Sequence, residues 1–279
     1  MPQATRLLAI IALYVRAQLW RLPLDRRHAA VLLIPRAGLL GLLILAQSVR
    51  ADELQVATAA NFAAPMEQIA TDFAKATGHK VVVIAGATGK LYAQIRNGAP
   101  YAVLLAADEQ TPRKLEEEGL AVVGQRFTYA IGKLVLFSST PGFVDAGGEV
   151  LKAGKFRHLA LANPKTAPYG AAAVEALHAL GQFEAVQSKV VEGESIGQTF
   201  SFVVSGNAEL GFVALSQLGS GDSRVRGSWW LVPQSLYAPI RQDACLLTKG
   251  ADQPAARAFL EYLRSENARA LIRAHGYDL

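Results

Sequence analysis

Cysteine is almost absent: the 279 residues include one, Cys245, which excludes an internal disulfide framework and any paired-cysteine redox or metal site. Histidine is sparse as well, and the five present (28, 79, 158, 178 and 275) lie outside the strand-to-helix loops discussed below. No G-x-S-x-G occurs, so a serine hydrolase would lack its nucleophile turn. There is no low-complexity tract. The apolar run from Ala37 to Ala46 is ten residues long, too short to span a bilayer.

Acid is what the first 51 residues lack. They carry seven arginines and a single carboxylate, Asp25, around the apolar runs Leu7 to Val15 and Ala37 to Ala46. The second run follows Arg26, Arg27 and Arg36 and precedes Val49-Arg50-Ala51, the layout of a secretory signal with its small-residue cleavage site. A membrane anchor built on both runs is the competing reading, but Arg16, Arg21, Pro23 and the Arg26-Arg27 pair interrupt it. The expectation is export, with cleavage near Ala51 and a mature start at Asp52. Without residues 1–51 the chain keeps 21 Lys and Arg against 22 Asp and Glu, so the pI of 9.3 belongs largely to the leader. The remaining basic residues are scattered, and no stripe for nucleic acid or an anionic membrane emerges. Cys245, in the apolar stretch "DACLL", reads as a thiol buried in a strand.

The stretch "VVVIAGATGKLYAQIRNGAP", Val81 to Pro100, tests the chain for a phosphate-binding P-loop. Ile84 stands where the first glycine must be and Leu91 where the Mg²⁺-ligating hydroxyl must be, so the motif fails at two fixed positions. A strand, a glycine loop and a helix remain, and that layout still turns backbone N–H groups and a positive dipole end toward an anion. The same order recurs. "LQVATAANF" reads as a strand leading into a helix with Met66, Ile69, Ala70 and Phe73 on one face and a stop at Gly78. "RHLALANP", "KTAPYG" and "AAAVEALHALG" read as strand, loop and helix, as do "SKVVEGE", "SIGQT" and "FSFVVSGN". Repeated β-loop-α units predict a mostly parallel α/β sheet with its ligand loops at the strands' carboxyl ends. "TYAIGKLVLFSS" and "WWLVPQSLYAPIRQDACLLTKG" are long extended segments, which suits two lobes with crossings near Ile131 to Phe137 and Pro233 to Arg241. One or two helices close the chain.

Four loops stand out: Ala60-Asn61, Ala87-Thr88-Gly89, Pro168-Tyr169-Gly170 and Ser195-Ile196-Gly197. Asn61 and Thr88 are good helix N-cap types, so capping alone accounts for either one. Taken together, the four loops offer convergent neutral donors with hardly a countercharge, the chemistry of a dianion held by dipoles and selected by cavity size. Lys90 is the one cation beside them, and on a helix's first turn it is expected to face solvent.

The segments "AAN", "GATGKLYAQIRNGAP", "AAD", "ANPKTAPYGAAAVEAL", "GESIGQTFSFV", "GFVALSQ" and the terminal "HGY" resemble the periplasmic molybdate-binding proteins of ABC importers, which are type II periplasmic binding proteins. The resemblance runs from about Leu54 to Tyr277. It implies an α/β fold of two Rossmann-like lobes joined by a two-segment hinge. The lobe bounds then fall at 52–133 with 240–279 for the first and 134–239 for the second, after a signal region at 1–51. It also implies a monomer that binds and does not catalyse, carries no cofactor, and delivers molybdate, and tungstate with it, to an importer permease. Asn61, Thr88, Tyr169, the Ile196 backbone and Ala60 would hold the oxyanion, with no direct metal ligand. Another tetrahedral oxyanion such as sulfate is the alternative. Two positions depart from the family pattern: Ala214 replaces a ligand-donating tyrosine, and Ala102 replaces an acid after "GAP". The Tyr169 phenol is inferred to supply the missing donor. Hydroxymethylbilane synthase shares such lobes and uses a cysteine, but it needs an arginine-lined cleft that these loops lack. A transcription-factor effector domain would need a helix-turn-helix that is not present upstream.

Overall fold

The computed structural model describes residues 53–219 and 225–279. The leader and its cleavage site lie outside the described residues. Among the described residues no helix is long and apolar enough to cross a membrane.

Ten strands form two five-stranded sheets. The first combines β1 (Glu53–Ala59), β2 (Lys80–Gly86), β3 (Val103–Leu105), β4 (Phe127–Gly132) and β10 (Ile240–Leu246) in the order β2-β1-β3-β10-β4. The second combines β5 (Leu134–Ser138), β6 (Leu159–Ala162), β7 (Val190–Gly193), β8 (Leu210–Ala214) and β9 (Ser228–Leu231) in the order β7-β6-β8-β5-β9. In each sheet the first two pairings are parallel and the last two antiparallel, so only the fourth strand, β10 or β5, runs against the rest. The chain leaves the first sheet at Gly132, enters the second at Leu134, and returns between Leu231 and Ile240. The single apolar run "TYAIGKLVLFSS" is therefore two strands of different sheets, broken at Lys133.

The helices follow from apolar spacing and local stops. α1 (Ala63–Thr77) buries Met66, Ile69, Ala70 and Phe73 and ends at Gly78 with φ 79°, a left-handed cap that only glycine adopts without strain. α2 (Thr88–Arg96) buries Leu91 and Ile95. After α3 (Gln110–Glu117) and the short α4 (Val150–Ala153) comes α5 (Pro168–Ala179), whose proline at the first position needs no N–H acceptor. α6 (Phe183–Val186) is a single turn. α7 (Ile196–Val204) starts at Ile196, four residues before the expected Phe200, because the Ser195 hydroxyl accepts from Gln198 N and caps it. The closing segment is two helices, α8 (Pro254–Leu263) and α9 (Glu266–Ala274), separated where Ser265 caps the second. Cys245 is fully buried in β10, and burial pushes its thiol up to about 12, so it is chemically quiet. Ala102 is also buried, tight against Gly250.

Candidate functional site

The carboxyl ends of β1, β2, β6 and β7 each run into a helix start, and these four starts surround one small cavity between the lobes. Its walls are Ala59, Ala60, Asn61, Gly86, Ala87, Thr88 and Ala107 from the first lobe, with Ala167, Pro168, Tyr169 and Ile196 from the second. Thus Ala60, Asn61, Thr88, Tyr169 and Ile196, chosen in the sequence from stretches up to 136 residues apart, line the same space. None of the wall residues carries a charge. The volume is about 10 Å³, room for roughly one water-sized sphere. A wider groove of about 430 Å³ opens beside it, lined by Asp108, Glu109 and Glu175 as well as Lys165 and Arg241. Its mixed charge, with three carboxylates in the lining, makes it the poorer place for an anion.

The first turn of a helix leaves N–H groups without intrahelical acceptors. Here they belong to the 3₁₀ turn Ala60–Phe62 that leads into α1, and to Thr88, Tyr169 and Ile196 at the starts of α2, α5 and α7. Each helix start carries roughly half a positive charge, so four together offset about two negative charges without a cation. Asn61 and Thr88 do not cap: the cap positions are Ala59 and Ala87. Thr88, 1% exposed, instead accepts the Ala107 N–H at 3.0 Å, which leaves its own hydroxyl proton to donate. The Tyr169 phenol reaches back to the crossing strands, where Gln242 Nε2 donates to it at 3.2 Å. A Cβ on Gly132 would stand 2.0 Å from that hydroxyl, so the chain crossing needs glycine there for the phenol to dock. Burial raises the pKa of Tyr129, Tyr169 and Tyr277, so all three stay protonated at neutral pH.

The lobes are joined directly around the cavity. Gly89 N donates to Thr166 O at 2.9 Å, and a Cβ on Gly89 would meet the Thr166 Cα at 3.0 Å. The Ser216 hydroxyl donates to Asn61 O at 2.8 Å. Lys90 does not line the cavity; its half-exposed ammonium pairs with Glu194 of the other lobe. Ala214, at the end of β8, is buried outside the cavity wall. Sequence reasoning missed the residues behind the site: Gln242, which meets both Asn61 and Tyr169, Ser216, which meets Asn61, and Tyr129, which meets Gln242. A glutamine inside the apolar strand "IRQDACLL" was the available signal for the first of them.

A family model described as bacterial extracellular solute-binding protein matches residues 54–278. The molybdate-binding protein ModA of Azotobacter vinelandii is 59% identical over 240 residues, covering 86% of this chain and 95% of that one. ModA of Rhodobacter capsulatus is 47% identical over 245 residues, covering 87% and 96%. The solved structure of the Azotobacter vinelandii periplasmic molybdate-binding protein superposes with a TM-score of 0.79 at 46% identity, covering 81% of this chain and 99% of that one.

Proposed function

Because the chain belongs to the bacterial extracellular solute-binding proteins, and among them to the molybdate-binding family, we propose that it captures molybdate between its lobes and presents it to an ABC importer. Members of this family bind their ligand without transforming it, so the chain is not an enzyme and molybdate is its cargo, not a cofactor. The observation that carries the reading is the uncharged cavity at which four helix starts meet. Asn61 and Thr88 through their side chains, and Ala60, Tyr169 and Ile196 through backbone N–H groups at the helix starts, are the proposed donors to the oxyanion, the Tyr169 phenol being engaged with Gln242. They would surround the oxygens, so molybdenum itself has no protein ligand. Tungstate, of the same shape and charge, is proposed to share the site. We assign 52–133 with 240–279 to the first lobe and 134–239 to the second. The working form is proposed to be a periplasmic monomer released from its leader near Ala51, with Asp52 at the N-terminus. N-terminal sequencing of the exported protein checks the last point, which fails if residues before position 48 are retained.

Thermal unfolding with a panel of oxyanions tests the ligand. A ligand that binds only the native state stabilises it by RT ln(1 + [L]/Kd), about 4 kcal/mol at a thousandfold excess over Kd. Molybdate and tungstate should raise Tm accordingly, while equal sulfate or phosphate should move it little. An equal shift with sulfate would overturn the molybdate assignment.

A further inference from the structure

Gln242 lies in β10 with none of its surface exposed, at the point where the register of β10 against β4 shifts. Its side chain joins the two lobes. Oε1 accepts from Asn61 Nδ2 at 2.9 Å and from the Tyr129 hydroxyl at 3.0 Å, while Nε2 donates to the Tyr169 hydroxyl. Asn61 directs its second N–H to the Tyr277 hydroxyl at 2.9 Å. Both N–H groups of the Asn61 amide therefore point into the network, and its Oδ1, though buried, has no partner among the described residues.

A buried acceptor without a donor is destabilising, and an amide oxygen is the wrong edge to offer an anion. Turning the Asn61 amide by half a revolution would present N–H to the cavity it lines. Asn61 cannot turn alone, because its Oδ1 would then face Gln242 Oε1. If Gln242 turns with it, Nε2 donates to Asn61 Oδ1, and Oε1 accepts the Tyr169 hydroxyl proton. The Tyr277 hydroxyl can then donate to Oδ1, Ser216 keeps its bond to Asn61 O, and the Tyr129 hydroxyl keeps its bond to Ala106 O at 3.1 Å. Every group in the chain is satisfied in that arrangement once an oxyanion accepts from Asn61 Nδ2.

We propose that Gln242 is a positioning residue of the oxyanion site, whose amide turns in concert with that of Asn61 so that ligand entry reverses a hydrogen-bond chain running from Asn61 in one lobe to Tyr169 in the other. This rests on the oxyanion-binding reading above. Gln242 touches no ligand itself. It decides which edge of Asn61 the ligand meets, and the decision is shared with the lobe opposite.

Two substitutions separate this role from simple filling of space. Gln242→Met keeps length and volume without the amide, and Gln242→Glu keeps the shape but, when ionised, can only accept. Calorimetry with sodium molybdate from pH 6 to 8, alongside Tm without ligand, should show a parent Kd that is nearly flat with pH. Gln242→Met should bind at least about tenfold more weakly. Gln242→Glu should bind better at pH 6 than at pH 8, by up to about tenfold per unit, because the donating form is the protonated one and binding takes up a proton. The titratable groups that face this side chain do not produce that profile: Tyr129, Tyr169 and Tyr277 remain protonated, and Asp243 turns to Arg126 and Thr128. Tyr129→Phe, which touches the same Oε1 but stands outside the reversing chain, should bind within about twofold of the parent. Gln242→Met binding within twofold of the parent, or a flat pH profile for Gln242→Glu, would overturn the inference while leaving the function standing. No binding heat from the parent itself would instead overturn the function, and the inference with it.

Discussion

In the first lobe the strand that arrives from across the molecule, β10, lies beside β3, and the departing β4 takes the edge; in the second lobe β5 and β9 repeat the arrangement. One plan thus serves twice, yet the two lobes furnish the cavity differently. The first supplies side chains held from behind: Thr88 by the Ala107 N–H, and Asn61 by Gln242 and Tyr277. The second supplies backbone at the starts of α5 and α7, and its main side-chain hydroxyl, that of Tyr169, is tethered to the first lobe through Gln242. Side-chain donors can be removed by substitution and can distinguish ligands by geometry. Backbone donors persist through substitution, so the second lobe presents a fixed wall opposite an adjustable one.

The comparison breaks or sharpens under substitution, and the largest effect on affinity should come from Thr88→Val. It deletes a donor to a dianion and leaves the Ala107 N–H buried without a partner. At roughly 1.5–3 kcal/mol for a charge-assisted hydrogen bond, the loss is about 10- to 150-fold. Titration calorimetry with molybdate measures it, and a Thr88→Val protein that binds like the parent would remove the first lobe's claim to side-chain control. Tyr169→Phe keeps the ring and loses the hydroxyl that links the lobes, so a fall of about tenfold is expected. Unchanged affinity would reduce the phenol to packing.

Lys90→Gln comes next, since it cuts the pair with Glu194 that spans the lobes outside the cavity. An exposed pair contributes at most about 1 kcal/mol, which limits the change to about fivefold, and the difference should shrink with added salt. Parent affinity itself should vary little up to physiological salt and across pH 6–8, because no wall residue is charged and the phenols stay protonated. A steep loss with sodium chloride would place a cation in the site. Ile196→Ala should change affinity least, within about threefold, although loss of a buried side chain should lower stability by about 2–4 kcal/mol. That split between a large fall in Tm and a small change in Kd is the signature of a backbone donor. Equal losses in both would mean the side chain, not the N–H, matters.

Much of the frame was legible because it is local. The spacing of Met66, Ile69, Ala70 and Phe73 announces α1, Gly78 ends it, and a β-branched run before Gly86 announces β2. The four loops could be singled out because small residues between a strand and a helix are visible within ten positions. The length of those loops was overestimated: Ile196 and Thr88 belong to the helices, since Ser195 and Ala87 occupy the cap positions and the first turn is already wound. Capping by Asn61 and Thr88 was a fair reading of residue type, but type alone does not tell which backbone group a hydroxyl or amide will meet.

By itself the sequence determined the alternation of strand and helix and the neutral character of the loops, because these depend on periodicity and side-chain polarity. Only the tertiary structure decided that Thr88 faces Ala107, that Lys90 is drawn off to Glu194, and that Gln242 connects Asn61 with Tyr169 over separations of 181 and 73 residues. Hydrogen bonds of that kind are set by which surfaces the two sheets bring together. A buried polar group takes whatever partner packing places within about 3 Å of it.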